Sequence, residues 1–160
     1  MNENIESKTK VTGEKKIVVT HHGHNFQDIA IRKVFNINNS ILICNSIKFR
    51  GQEYHIGGAV VEKIDPTTKL PQFAVIDAIV RLDENSEWTF VLSKLKTICF
   101  DEERLKAYIA ERSDQLTYKK KPINLFFYKP YDMEQHPDPE NDQLVIFMHC
   151  FLIGMDYYNG

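Results

Sequence analysis

The chain has 160 residues, 42% of them hydrophobic and 11% aromatic, and a formal charge of −2. That length and apolar content suit a single domain with a real core, and the near-neutral charge leaves no global field to draw the protein onto nucleic acid or an anionic membrane. No window approaches the roughly 18 consecutive apolar residues of a membrane span, and the polar stretch 1–16 lacks the apolar core of a signal peptide. The expectation is a soluble, intracellular protein, nuclear or cytoplasmic, with no membrane partner.

In chain order, residues 1–15 are too polar to repay the entropy of ordering and read as a flexible arm, so a single β-rich domain is expected over 16–160. Ile17-Val18-Val19 reads as a short first strand. Ile29-Ala30-Ile31 and Val34-Phe35 leave strand and irregular structure open. Residues 36–40, with three Asn and a Ser, are turn chemistry, and 41–49 read as a strand. Arg50-Gly51-Gln52-Glu53 is a polar joint with Gly at the tight position. Residues 54–64 read as a strand whose Gly57-Gly58 pair marks a bulge or a sharp bend.

The prolines make 65–71 a loop. Residues 73–80 are apolar on both faces, which predicts a central strand. After the turn 83–87, Trp88, Phe90 and Leu92 alternate with Thr89, Val91 and Ser93, a half-buried strand pattern. Asp101 reads as the N-cap of a one-turn helix that precedes a short strand at 107–111. Residues 123–128 form a further apolar run, 129–142 a Pro-rich polar loop, and 144–153 a buried closing strand.

The candidate chemistry is sparse. His21-His22-Gly23-His24 is the one dense set of metal-capable side chains, but neighbours on one segment seldom surround zinc tetrahedrally, so a polar loop is expected, with a metal-dependent enzyme the least favoured reading. Three widely spaced cysteines (Cys44, Cys99 and Cys150), each among apolar neighbours, predict reduced and buried thiols. Asp77, inside an apolar run, must be paired, neutral or on an open face; a solvent-facing carboxylate, or one bonded to a backbone or basic partner, is expected rather than a general base. Tyr118, Lys119, Lys120 and Lys121, followed by Phe127 and Lys129, interleave bases with aromatics as a single-stranded nucleic-acid grip does; a Lys run in a turn is more commonly a solvated loop. Tyr54, Trp88 and Tyr108, near strand ends, are candidates for an aromatic groove, against the commoner fate of core packing. No catalytic residue, cofactor motif or metal-ligand spacing emerges.

The order Tyr54, Val60-Val61, Pro71-Gln72-Phe73-Ala74-Val75-Ile76-Asp77-Ala78-Ile79, Trp88-Thr89-Phe90-Val91 and Ala107-Tyr108 resembles the C-terminal β-rich region of uncharacterised, transposon-associated animal proteins. More loosely, it looks like the small-barrel core of SH3-like and bromo-adjacent homology chromatin readers. The resemblance spans about 41–153 and implies a binding or scaffolding module with no catalytic residue. The expected fold is mainly β: a small, partly open antiparallel barrel of five to seven strands with one short helix. The expected function is non-enzymatic, most simply engagement of a protein segment through a groove or strand edge, with a nucleic-acid accessory domain as the alternative.

Overall fold

The computed structural model describes residues 9–123 and 129–148. In chain order the elements are β1 (Lys10–Thr12), β2 (Lys15–Val18), α1 (Phe26–Val34), β3 (Ser40–Cys44), β4 (Ser46–Phe49), β5 (Gln52–His55), β6 (Ala59–Ile64), β7 (Pro71–Arg81), β8 (Thr89–Asp101), β9 (Ala107–Arg112), β10 (Tyr118–Pro122), β11 (Pro130–Gln135) and β12 (Leu144–Phe147). The protein is mainly β with a single short helix among the described residues.

β7 and β8 form the frame. They pair with each other antiparallel along the middle of the molecule, and each has a register shift, at Ile76/Ala78 within their own pairing and at Thr97/Cys99 where β8 pairs with β9. A bulge adds a residue to one strand and bends it, so each strand can serve two sheets. At one end β7 pairs with β6 and β8 with β9; β12 and β11 complete the ring, and the β11–β6 pairing of Pro130 with Val60 and Tyr131 with Ala59 closes it. The result is a closed six-stranded antiparallel barrel, one pairing beyond the partly open barrel expected. Phe73, Val75, Leu95, Leu144 and Ile146 fill its interior, and the Phe73 ring meets Tyr108 and Tyr131 at 5.3 and 5.1 Å.

At the other end the same two strands continue into an open sheet, β7 pairing with β3 and β8 with β10, while β2 lies outside β3. One face of this sheet packs Ala78, Val80 and Val91 against Ala30 and Ile31 of α1. The other packs Ile79, Phe90 and Leu92 against Ile47 and Tyr54 of a three-stranded sheet ordered β1, β4, β5. Residues apolar on both faces therefore mark a strand covered twice, as expected for 73–80.

Several expectations shift. The one helix lies at Phe26–Val34 and not after Asp101, where the chain makes turns. Asn25 caps it by accepting the Asp28 N–H at 2.7 Å, Asp28 sits in the first turn, and Arg32 and Lys33 lie in the last, each complementing the helix dipole. Asp101 does accept an N–H three residues on, from Arg104 at 2.9 Å, but closes only a turn. Lys10–Thr12, within the stretch read as an arm, pairs with β4. Gly57-Gly58 separates two strands rather than bending one: Gly57 has φ +90° and its N–H bonds Ile76 O. Residues 130–135, read as loop, form β11, because Pro is tolerated as a first strand residue and Tyr131 and Met133 alternate into the barrel. Arg50-Gly51 is the tight joint expected, with both φ positive, as a two-residue hairpin needs.

Candidate functional site

Two regions bring polar side chains together from distant parts of the chain. The first is a groove between the β4–β5 hairpin and β11, about 430 Å³ in volume, lined by Lys48, Gln52, Glu53, His55, Pro130 and Asp132. Among the described residues β5 stands at the edge of its sheet, with β4 as its one ladder partner. Tyr54 anchors it from behind, buried against Phe90 with ring centres 5.2 Å apart. Across the groove His55 Nε2 lies 3.2 Å from Asp132 Oδ1, while its Nδ1 lies 3.2 Å from Ile56 O. An edge strand fixed at its back and bordered by a second wall offers unpaired backbone groups to an extended chain.

The second lies where the barrel and the open sheet part. Asp77 is the extra residue of the β7 bulge, and Ser93 sits between Val75 on one side and Tyr118 on the other. Asp77 and Ser93 are only 2% and 1% exposed. Burial pushes the Asp77 carboxyl up to about 6; the nearby Ser93 hydroxyl and the Arg112 guanidinium pull in the opposite direction without offsetting it. Despite that proximity, Asp77 Oδ2, Ser93 Oγ and Arg112 Nη1 find no hydrogen-bond partner within 3.5 Å among the described residues, nor does Gln27 Nε2 on α1. The Arg112 guanidinium lies 3.9 Å from the centre of the Phe26 ring, so the first turn of α1 rests on the end of β9. This is a buried polar junction of the kind that fixes how two layers meet.

No family model matches the chain, and no curated protein or solved structure matches it either.

The aromatic candidates do not converge. Tyr54 and Trp88 are buried together in the core under the open sheet, Trp88 beneath the Arg81 guanidinium at 4.6 Å, whereas Tyr108 packs between Phe73 and Phe100 in the barrel. Rings that large remove more apolar surface from water in a core than in a cage, and each strand carries its ring inward. They form no shared groove.

Residues 118–122 of the Lys-aromatic segment form a strand, not a loop. In β10, Tyr118 packs towards α1, Lys119 is paired with Glu62, and the Lys120 ammonium sits 4.8 Å above the Phe35 ring. Lys121 is half-buried and Lys129 exposed; Phe127 lies outside the described residues. Two of the three consecutive lysines are thus already engaged within the fold.

His21, His22 and His24 are exposed on the loop before α1, where Arg32 Nη1 donates to the His22 and Gly23 carbonyls at 3.0 and 2.7 Å. Among the described residues no three metal-capable side chains are grouped. Cys44 is buried, its thiol pushed up to about 12 mainly by desolvation. Cys99, expected in the core, is exposed, as are its neighbours Ile98 and Phe100 at the register shift between β8 and β9. Cys150 lies outside the described residues. The described helix is too short and too polar to cross a membrane.

The His55–Asp132 contact joins residues 77 apart and leaves no trace in the local sequence. Asp77 was conspicuous there as a lone carboxylate in an apolar strand. Its distant partner, Arg112, carried no signal beyond ending an alternating segment.

Proposed function

We propose that this protein is a non-enzymatic binding module that takes an extended protein segment along the open edge of β5, in the groove shared with β11. The observation that carries this reading is the edge position of β5 beside a groove with polar groups on both walls. A partner strand would gain backbone hydrogen bonds from β5, and Lys48, Glu53 and Asp132 would select its side chains by charge. The reading also draws on how the other edges are treated. β10 carries Lys119, Lys120, Lys121 and Pro122, β2 carries Lys15 and Lys16, and the three-residue β1 carries Lys10, the short strands and residues that blunt an edge against pairing. β5 carries Gln, Glu, Tyr and His. A nucleic-acid role for β10 has less support, since Lys119 and Lys120 are occupied by Glu62 and Phe35.

The test is selection of peptides from a displayed random library on the intact protein, followed by amide hydrogen exchange of the complex. Binding at β5 slows exchange at Glu53 and His55, whose N–H groups face away from β4, and Asp132→Lys alters which peptides are selected. A library that yields no binder, or binders that leave β5 exchange unchanged, overturns the reading.

A further inference from the structure

A second cleft, of about 380 Å³, opens at the barrel rim where the connection between β6 and β7 folds over β8. Lys94 and Lys96 line it from β8; spaced two apart on a strand, they stand on one face, and both are exposed. Neither makes an ion pair among the described residues. Glu111, opposite Lys96 in the ladder, makes none with it and lines the neighbouring cleft.

Thr68 and Ser113 add to the lining hydroxyls that are held from one side only, whereas the Thr97 hydroxyl is spent on Pro71 O at 2.6 Å. Thr68 Oγ accepts the Leu70 N–H at 3.2 Å, and Ser113 Oγ accepts the Gln115 N–H at 3.3 Å. Each hydroxyl therefore keeps its own proton to donate. The carboxylate in the lining, Asp65, is taken up by its own loop. Its Oδ1 accepts the Thr67 and Thr68 N–H groups at 2.8 and 3.1 Å, and its Oδ2 accepts from Gln72 Nε2 at 3.2 Å. Backbone bonds from Asp65 N to Leu70 O and from Lys69 N to Asp65 O, both 2.8 Å, fix the loop that presents Thr68.

The cleft thus offers two ammonium groups and two hydroxyl donors on a braced frame, with its acceptor already satisfied. Such a set fits an anion with several oxygens and more than one charge. We propose that this cleft is an oxyanion site that takes a phosphate monoester, with Lys94 and Lys96 countering its two charges and Thr68 and Ser113 donating to its oxygens. A phosphodiester carries a single charge and a carboxylate two oxygens, so both use the donors less fully. The proposal does not rest on the β5 groove, because phosphate binding is read without any strand partner.

The experiment is a nitrogen–proton NMR titration of the full chain at physiological salt with four probes: inorganic phosphate, a short phosphoserine peptide, the same peptide with serine, and a single-stranded oligonucleotide. Expected are saturable shifts at Thr68, Lys94, Lys96 and Ser113 with phosphate and the phosphopeptide, and none there with the serine peptide. Lys94→Gln with Lys96→Gln should weaken binding by about tenfold or more, and Thr68→Val with Ser113→Ala by several-fold, with the rest of the spectrum unchanged. A phosphopeptide tighter than inorganic phosphate identifies a modified protein segment as the source; equal affinity identifies a free phosphate. Shifts spread over all surface lysines, binding indifferent to the double lysine substitution, or an oligonucleotide that competes as well as phosphate would each overturn the proposal.

Discussion

The two ends of the β7–β8 hairpin solve the problem of strand edges in opposite ways. At the barrel end every strand has two neighbours and the ring closes on itself, so no backbone edge is left and the interior is filled by Phe73, Val75, Leu95, Leu144 and Ile146. At the sheet end two edges remain; the faces are covered by α1 and by the β1–β4–β5 sheet, and the edges β2 and β10 are protected by lysines and a proline. The lesson is that closure frees the barrel from surface constraints, whereas the open end depends on added layers for its burial. The β5 edge belongs to one of those added layers.

The sharpest way to break this comparison is to empty the barrel. Phe73 is fully buried between Tyr108 and Tyr131, and Phe73→Ala should cost about 3–5 kcal/mol in urea unfolding, the usual range for losing a core aromatic ring. A loss under about 1 kcal/mol would show that the barrel does not close around that ring.

A smaller effect tests the junction between the two ends. The Asp77 carboxyl is raised from 3.8 to about 6 in the folded protein, so the folded chain holds that proton more tightly than the unfolded one. Stability from this group is therefore complete below about pH 4 and is lost as pH rises through about 6, a change on the order of 3 kcal/mol. Asp77→Asn, which cannot ionise, should flatten the stability profile between about pH 4 and 7 and match the wild type at the acid end. An unchanged profile in the variant would mean that Asp77 ionises as freely in the fold as in water.

The smallest effect separates the layers. Asn25→Ala removes the cap of α1 and should cost about 1 kcal/mol. Its hydrogen-exchange signature should appear in α1 and in the strand face beneath it, at Ala78, Val80 and Val91, and leave Leu95, Ala110 and Ile146 in the barrel as slow as before. Equal acceleration in both would mean that barrel and sheet open as one unit.

Much of the frame was legible in the residues themselves. Residues 73–80 announce a doubly covered strand by being apolar on both faces, the alternation after Trp88 marks the next strand, and Arg50-Gly51 marks a hairpin. α1 was missed: its short apolar pieces leave strand and irregular structure open, although Asn25 as a cap, Asp28 in the first turn and the Arg32-Lys33 pair in the last are helix-end signals. β11 hid behind Pro130 and a polar surrounding, although Tyr131 and Met133 kept the period of a strand. The candidate sites were less legible. Lys94 and Lys96 show by spacing that they share a face, but nothing local says that Thr68 and Ser113 come to meet them.

The sequence by itself determined the β-rich class and the central hairpin, because period-two patterning and turn chemistry act over a few neighbouring residues. Only the tertiary structure decided that β11 closes the ring, that Tyr54 and Trp88 sink into one core while Tyr108 enters another, and that Asp132 faces His55. Those outcomes depend on pairings between strands far apart in the chain, and the register of such pairings is set by how all the buried faces pack at once.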